Sequence, residues 1–164
     1  MNLVMDMKNA IEMSTPVAKL YLVSEEDKYL VGIYWCNLPD DFDGVKKSNP
    51  LLEKAEKQMD EYFDGQRRKF DLPYRLDRPP FYMEALEVVK NIEYGTTLSY
   101  RDVAQRTHSA KAIRAVGSAN ATNPLPILIP CHRVIASDGT IGGYGARKDI
   151  KRYLIRLEKA SINR

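Results

Sequence analysis

Hydrophobic residues recur with two different periods along this 164-residue chain. Val17-Ala18-Lys19-Leu20-Tyr21-Leu22-Val23 and Tyr29-Leu30-Val31-Gly32-Ile33-Tyr34-Trp35 are β-branched and aromatic runs, and Ser24-Glu25-Glu26-Asp27-Lys28 separates them. Such side chains suit a pleated surface, so the pair predicts a β-hairpin over residues 17–35. The dozen residues at the start show no period and predict no element. Residues 40–50 are polar and read as a loop. Over residues 51–63 the spacing changes. Leu52, Ala55, Met59 and Phe63 share one helical face, and Asp64-Gly65 ends it. Residues 67–73 read as a final edge strand, which makes residues 1–75 a small α/β unit. Residues 75–80, with Pro79-Pro80, read as the linker.

Helical spacing dominates the second expected domain, residues 80–164. Phe81, Ala85, Val88, Val89 and Ile92 predict an amphipathic helix over residues 81–92, closed by a turn at Gly95. Ser99-Tyr100-Arg101-Asp102 is a capping box with Asp in place of Glu, and it starts a short helix ending near Thr107-His108. Ser109 reads as the cap of a second helix over residues 110–121. Two short helices joined by a tight turn fit a helix-turn-helix, as they also fit a helical hairpin inside a core. The small residues Ala110, Ala112, Ala115, Gly117, Ser118 and Ala119 favour the former. A glycine inside a helix costs about 1 kcal/mol relative to Ala, so either a nucleic-acid backbone or a neighbouring helix must need the lack of bulk at Gly117. Val134-Ile135-Ala136 and Thr140-Ile141, around Ser137-Asp138-Gly139, predict a hairpin that would form a wing. Gly142-Gly143-Tyr144-Gly145 reads as a flexible loop where backbone can approach a ligand. Residues 147–159 predict a closing helix with Ile150, Leu154 and Leu157 inward.

Candidate chemistry lies between the second short helix and the hairpin. Pro124, Pro126 and Pro130 forbid a helix, and the apolar Ile127-Leu128-Ile129 between them predicts a buried, extended rod that delivers Cys131. His132 and Arg133 follow at once, and an imidazole and a guanidinium beside a thiol favour the thiolate. Neighbours on an extended chain point to opposite sides, so a bridging water is the expected proton path between Cys131 and His132. Cys36 is the other cysteine; with Cys131 read as a reduced thiol, the pair fits a reducing, intracellular compartment. Met1-Asn2-Leu3-Val4-Met5-Asp6 lacks the basic start and apolar core of a secretory signal. No apolar run approaches the roughly 20 residues of a membrane span. Charge is uneven: residues 1–75 hold 11 basic and 14 acidic side chains, whereas residues 76–164 hold 14 and 8. A polyanion would be drawn to the C-terminal half.

Ile129-Pro130-Cys131-His132-Arg133-Val134 resembles the active-site signature of the O6-alkylguanine-DNA alkyltransferases, which repair alkylated guanine in DNA. Ser99-Tyr100, Arg114-Ala115-Val116-Gly117, Asn123-Pro124, Gly142-Gly143-Tyr144 and Glu158 resemble further elements of the family, in its order and spacing. The likeness weakens before about residue 75. It implies an α/β + α architecture, a small N-terminal α/β roll packed on a C-terminal winged helix-turn-helix domain. It also implies a mechanism in which the Cys131 thiolate attacks the alkyl carbon on guanine O6. His132 would move the proton, Glu158 would orient the imidazole, and Tyr100 would protonate the leaving base. A thioether is not hydrolysed, so each molecule would act once. The target nucleotide would be rotated out of the duplex at a cost of about a few kcal/mol. Arg114 would fill the vacated stack, or contact a phosphate, from a helix in the minor groove, where sequence readout is poor. Ala115, Gly117, Arg101, Ser109 and Ser137 would complete the DNA-binding surface. Asn123, the hinge before the proline segment, would border the substrate pocket with Val134, Tyr144, Gly145 and Lys151. The implied partner is double-stranded DNA containing O6-alkylguanine, bound by a monomer in the cytoplasm, or in the nucleus of a nucleated cell, with no membrane and no cofactor.

Some positions depart from the family pattern. Ile113 stands where a small residue is usual, and Gly145 lacks a hydroxyl that some relatives carry. Some relatives hold zinc in the N-terminal domain, but here Cys36 is the one cysteine in that half and both histidines lie beyond it, so no metal is expected. Two other readings are a damage sensor and a cysteine hydrolase. Sensors of this kind lack the cysteine that Cys131 supplies. A hydrolase would leave the helix-turn-helix and Arg114 without a purpose, and no oxyanion-hole pattern is visible.

Overall fold

The computed structural model describes residues 7–142 and 147–164. Its backbone forms two compact units, Met1–Leu76 and Asp77–Arg164, each a mix of helix and strand. The first contains β1 (Lys8–Ser14), β2 (Lys19–Glu25), β3 (Tyr29–Trp35), β4 (Val45–Lys46) and α1 (Pro50–Phe63). The sheet order is β3-β2-β1-β4, with β1 antiparallel to β2 and parallel to β4. The expected hairpin is β2–β3. Residues 8–12 are not patternless coil but part of an interior strand, β1. Its buried apolar residues, Ala10 and Met13, lie three apart and so hide the two-residue period; ladder hydrogen bonds to strands on both sides hold it. The 40–50 loop contributes β4. Residues 67–73 are not an edge strand. Tyr74 alone bridges Leu30, with Leu30 N–H donating to the Pro73 carbonyl and Arg75 N–H to the Leu30 carbonyl, both at 2.9 Å. Pro73 has no N–H with which to extend a ladder.

Helix α1 begins where Asn49 accepts from Leu52 N–H at 2.9 Å and Pro50 presets the first turn. The Asn49 amide also donates to Ser24 Oγ at 2.9 Å, which ties the helix start to β2. Leu51, Leu52, Ala55, Met59, Tyr62 and Phe63 are its buried apolar residues, and the helix packs on the sheet.

The second unit contains α2 (Pro80–Lys90), β5 (Leu98–Ser99), α3 (Tyr100–Gln105), α4 (Ile113–Ala121), a 3₁₀ turn (Cys131–Arg133), β6 (Val134–Ile135) and α5 (Lys148–Ile162). The capping box is present: Ser99 Oγ accepts from Asp102 N–H at 3.0 Å, and Asp102 accepts from Ser99 N–H at 2.9 Å. Helix α4 starts three residues later than expected, and Ser109 is not its cap. Ser109 sits in the preceding turn, where its carbonyl accepts from Ala112 N–H at 3.0 Å. The Glu84 carboxylate secures that turn instead, accepting from the His108 N–H at 2.6 Å and pairing with its ring.

The expected hairpin after Cys131 is reduced to its turn. Ala136 N–H donates to the Thr140 carbonyl at 3.0 Å and Gly139 takes a positive φ, but no second strand follows among the described residues. Strand β6 pairs in parallel with β5 instead, Leu98 beside Val134 and Ser99 beside Ile135. That pairing brings the first residue of α3, Tyr100, to the segment that carries Cys131. Among the described residues no helix is long and apolar enough to cross a membrane.

Candidate active site

The segment leading to Cys131 is a turned loop, not an extended rod. Ile129 N–H donates back to the Leu125 carbonyl at 2.8 Å, and Ile127 takes φ +73°. A β-branched residue there costs roughly 1–3 kcal/mol, so its surroundings must hold it. Asn123 does so from one side, donating to the Ile129 carbonyl at 2.8 Å and accepting from Leu125 N–H at 3.0 Å. Its side chain thus braces the loop. Pro130, at φ −79° and ψ 67°, then makes a tight three-residue turn in which Cys131 N–H bonds the Ile129 carbonyl at 2.7 Å. Cys131, His132 and Arg133 follow as one turn of 3₁₀ helix, where successive side chains lie about 120° apart, not opposite.

All three of those residues are buried, and they diverge. His132 Nε2 lies 2.5 Å from Glu158 Oε2. Arg133 is not a neighbour aimed at the thiol. Its Nε and Nη2 donate to the two Glu158 oxygens at 2.8 and 3.2 Å, its Nη1 donates to the Ile92 carbonyl at 2.7 Å, and it stacks over Tyr94. Gly95 N–H supplies another bond to Glu158, at 3.0 Å. Glu158 therefore accepts from an imidazole, a guanidinium and a backbone amide while only 1% exposed. Burial pushes its carboxyl up, but the hydrogen bonds and charges of His132 and Arg133 outweigh this and hold it well below the usual carboxylate range.

For His132 the balance goes the other way. Full burial pushes its pKa down and outweighs the carboxylate beside it, which keeps the ring neutral. An ionised Glu158 can only accept, so Nε2 carries the proton and the buried Nδ1 presents a lone pair. A neutral imidazole in that tautomer can take a proton from a nucleophile.

Lys151 completes the floor. It is fully buried, donates to the Val134 carbonyl at 2.6 Å and lies 3.5 Å from the Tyr100 hydroxyl. Burial pushes its pKa down to about 8, against a smaller opposing effect of Cys131. Helix α5 thus turns Lys151 and Glu158 inward alongside Ile150, Leu154 and Ser161, whereas Leu157, expected inward, is half-buried. Because Lys151 binds its proton less readily when folded, the unfolded chain holds more protons between about pH 8 and the ordinary lysine value of 10.5. Stability from this group therefore rises with pH across that window. Urea unfolding should show the rise in the wild type and a smaller rise in Lys151→Met; equal rises would contradict the assignment.

Tyr100, half-buried at the start of α3, is pushed up by burial, while a hydrogen bond with the Asn120 side chain acts the other way. Asn120, which sequence reasoning missed, is buried on α4 and donates to the Cys131 carbonyl at 3.1 Å. Its signal was an amide inside the apolar stripe of Val116 and Ala119. Gly142, expected in a flexible loop, has its backbone pressed on Tyr100: at φ +72°, a Cβ would lie 3.0 Å from the hydroxyl. Val134 has its side chain fully buried. Tyr144 and Gly145 lie outside the described residues.

The remaining predicted residues face outward around α3 and α4. Arg101, Arg114 and Ser137 are exposed, and Ser109, Ala115 and Gly117 are half-buried. A Cβ on Gly117 would meet nothing within 4 Å, so a neighbouring helix does not explain the glycine. Ile113, 37% exposed, shares this surface.

Residues 80–160 match the family described as "6-O-methylguanine DNA methyltransferase, DNA binding domain", and residues 12–76 match its "ribonuclease-like domain". The constitutive methylated-DNA–protein-cysteine methyltransferase of Bacillus subtilis is 37% identical over 90% of this chain and 93% of its own. The methylated-DNA–protein-cysteine methyltransferase of Methanosarcina barkeri is 34% identical over 90% of this chain and 95% of its own. Among solved structures, the Mycobacterium tuberculosis OGT in complex with DNA superposes with a TM-score of 0.86, at 30% identity, over 93% of this chain and 94% of that one. The likeness thus runs through both units, and the chain belongs to the 6-O-methylguanine DNA methyltransferase family.

Proposed function

We propose that this protein repairs DNA by moving the alkyl group of O6-alkylguanine irreversibly onto Cys131. The observation that carries the proposal is a buried Cys131 followed at once by a neutral His132 held on an ionised Glu158, set within a chain of this family. His132 takes the thiol proton at Nδ1, directly or through one water, and Glu158 stabilises the imidazolium that results. The ammonium of Lys151 favours thiolate over thiol. Attack at carbon forms the C–S bond as the C–O bond breaks, and the electron pair leaves with the purine. Tyr100 donates a proton to that purine. A thioether gives water no leaving group, so one molecule repairs one lesion.

In this reading residues 1–75 are the family's roll and residues 80–164 a winged helix-turn-helix, with the 136–140 turn as the wing. Helix α4 enters the minor groove of duplex DNA, Gly117 gives the backbone room to approach, and Arg101, Ser109 and Ser137 contact phosphates. A monomer suffices. Arg114 fills the stack left by the extruded nucleotide. Arg114→Ala should therefore transfer alkyl normally from a free O6-alkylguanine base yet slow transfer from duplex by about 10–100-fold, given the few kcal/mol that extrusion costs. Equal rates on duplex would remove Arg114 from this role.

Intact-mass measurement with excess O6-methylguanine duplex tests the whole proposal. One methyl per chain is expected, with repair stopping at one lesion per protein. Continued turnover on an unmodified protein would refute it.

A further inference from the structure

Ile113 is the first residue of α4, and its side chain is 37% exposed. A single apolar residue at a surface is ordinary; its neighbours on the helix are what single this one out. At about 100° per residue, Ile113, Gly117, Ala121 and Arg114 fall within one arc of about 100° on α4. Ile113, Arg114 and Ala121 are exposed and Gly117 is half-buried. A Cβ on Gly117 would meet nothing within 4 Å. This side of the helix is therefore nearly bare backbone after its first turn, and two long side chains stand together at its start. Lys111 and Arg114 flank Ile113 in sequence, and Arg101 and Arg106 lie in and just after α3, all four exposed. Positive charge beside a low apolar strip suits the groove and backbone of a nucleic acid better than an apolar partner.

Resting on the alkyltransferase reading, we propose that Ile113 is a specificity-determining residue: laid in the minor groove beside Arg114, it makes repair faster where a base pair flanking the lesion is A·T than where it is G·C. Ile113 and Arg114 diverge by about 100° around the helix. With Arg114 in the place of the extruded nucleotide, Ile113 falls on a neighbouring pair. In the minor groove an A·T pair shows only acceptors, whereas a G·C pair adds the guanine amino donor. Isoleucine covers the acceptors of either pair alike. It has no acceptor of its own, so over G·C it takes water from the amino group and returns nothing. A small side chain at 113 would leave that group hydrated.

The test uses O6-methylguanine duplexes with G·C or inosine·C as the flanking pair, on each side in turn. Inosine lacks only the amino group. Single-turnover transfer is followed with DNA well below its Kd. Inosine should speed the wild type more than it speeds Ile113→Ala by about 5–50-fold at one flank, the scale of one stranded polar group. Ease of extrusion is common to both proteins, and any general folding defect cancels in each ratio. Ile113→Asn offers an oxygen to the amino group, so its gain from inosine should also be smaller than that of the wild type.

Equal gains in wild type and both variants overturn the proposal. So does self-association of the DNA-free wild type that Ile113→Ala abolishes in sedimentation, since this face would then belong to a second copy of the chain. Failure here leaves Cys131 methylated whatever the flanking pair, whereas failure of the alkyltransferase reading leaves it unmodified on every duplex.

Discussion

Glu158→Gln is expected to lower stability by about 3–5 kcal/mol, the scale of removing one partner from a buried ion pair. Glutamine has nearly the shape of glutamate but offers one acceptor oxygen where two are in use. Oε1 serves Gly95 N–H and Arg133 Nε, and Oε2 serves His132 Nε2 and Arg133 Nη2. Whichever way the amide turns, an –NH2 group faces donors, and the guanidinium of Arg133 is left buried without its counter-charge. Alkyl transfer should slow as well, by about 10²–10⁴-fold, because nothing then fixes the His132 tautomer or stabilises its protonated form.

The pH dependence separates this account from simple loss of packing. Burial pushes the Glu158 carboxyl up but His132 and Arg133 hold it below its ordinary value of 4.5, so its contribution is present above that value and lost as pH falls through the folded one. Burial of neutral His132 adds a second loss as pH falls below about 6.5, where the unfolded chain gains a proton that the folded one resists. Urea unfolding at a series of pH values should find the gap between wild type and Glu158→Gln widest near neutrality and shrinking below about pH 4.5. A gap that does not change with pH would mean that the carboxylate charge is not what Arg133 and His132 require.

Cys131→Ser should abolish transfer, by roughly 10⁴-fold or more, the scale of losing a nucleophile. The serine hydroxyl is nearly the same size but far less acidic than a thiol, and neither a neutral His132 nor Lys151 can generate an alkoxide. Stability should change by no more than about 1–2 kcal/mol, because one small group replaces another at a buried site. Duplex binding should persist, since Arg101 and Arg114 are exposed on α3 and α4 and do not depend on the sulfur. Gel-shift and repair assays on one preparation check both halves of this statement. Residual transfer near the wild-type rate would move the nucleophile elsewhere.

Local signals in the sequence located most elements, because caps and periods act over a few residues. The Ser99–Asp102 box, the Leu52–Phe63 stripe of α1 and the β2–β3 pair all carry such signals, whereas Asn49 and Pro50, read as loop, are the cap and first turn of α1. Strand β1 carried none, since its place depends on partners distant in sequence. The prolines before Cys131 excluded a helix but could not distinguish an extended rod from the turned loop that is present. Nothing in the letter Ile127 announces a positive φ; the loop around it imposes that conformation. Cys131 and His132 were legible because the motif is contiguous. The burial of Glu158 and Lys151 was not legible from the residues alone, since a charged side chain on an amphipathic helix ordinarily faces water, and the family resemblance was needed to single them out. Asn120 escaped because an amide in an apolar stripe passes for helix surface until its partners are in place.

Residue-level mass spectrometry tests the central claim most directly. After one equivalent of O6-methylguanine duplex, the peptide carrying Cys131 should bear a single methyl on sulfur in stoichiometric yield, and the lesion should be plain guanine. A methyl found on Cys36, or restored guanine with Cys131 unmodified, would contradict the account.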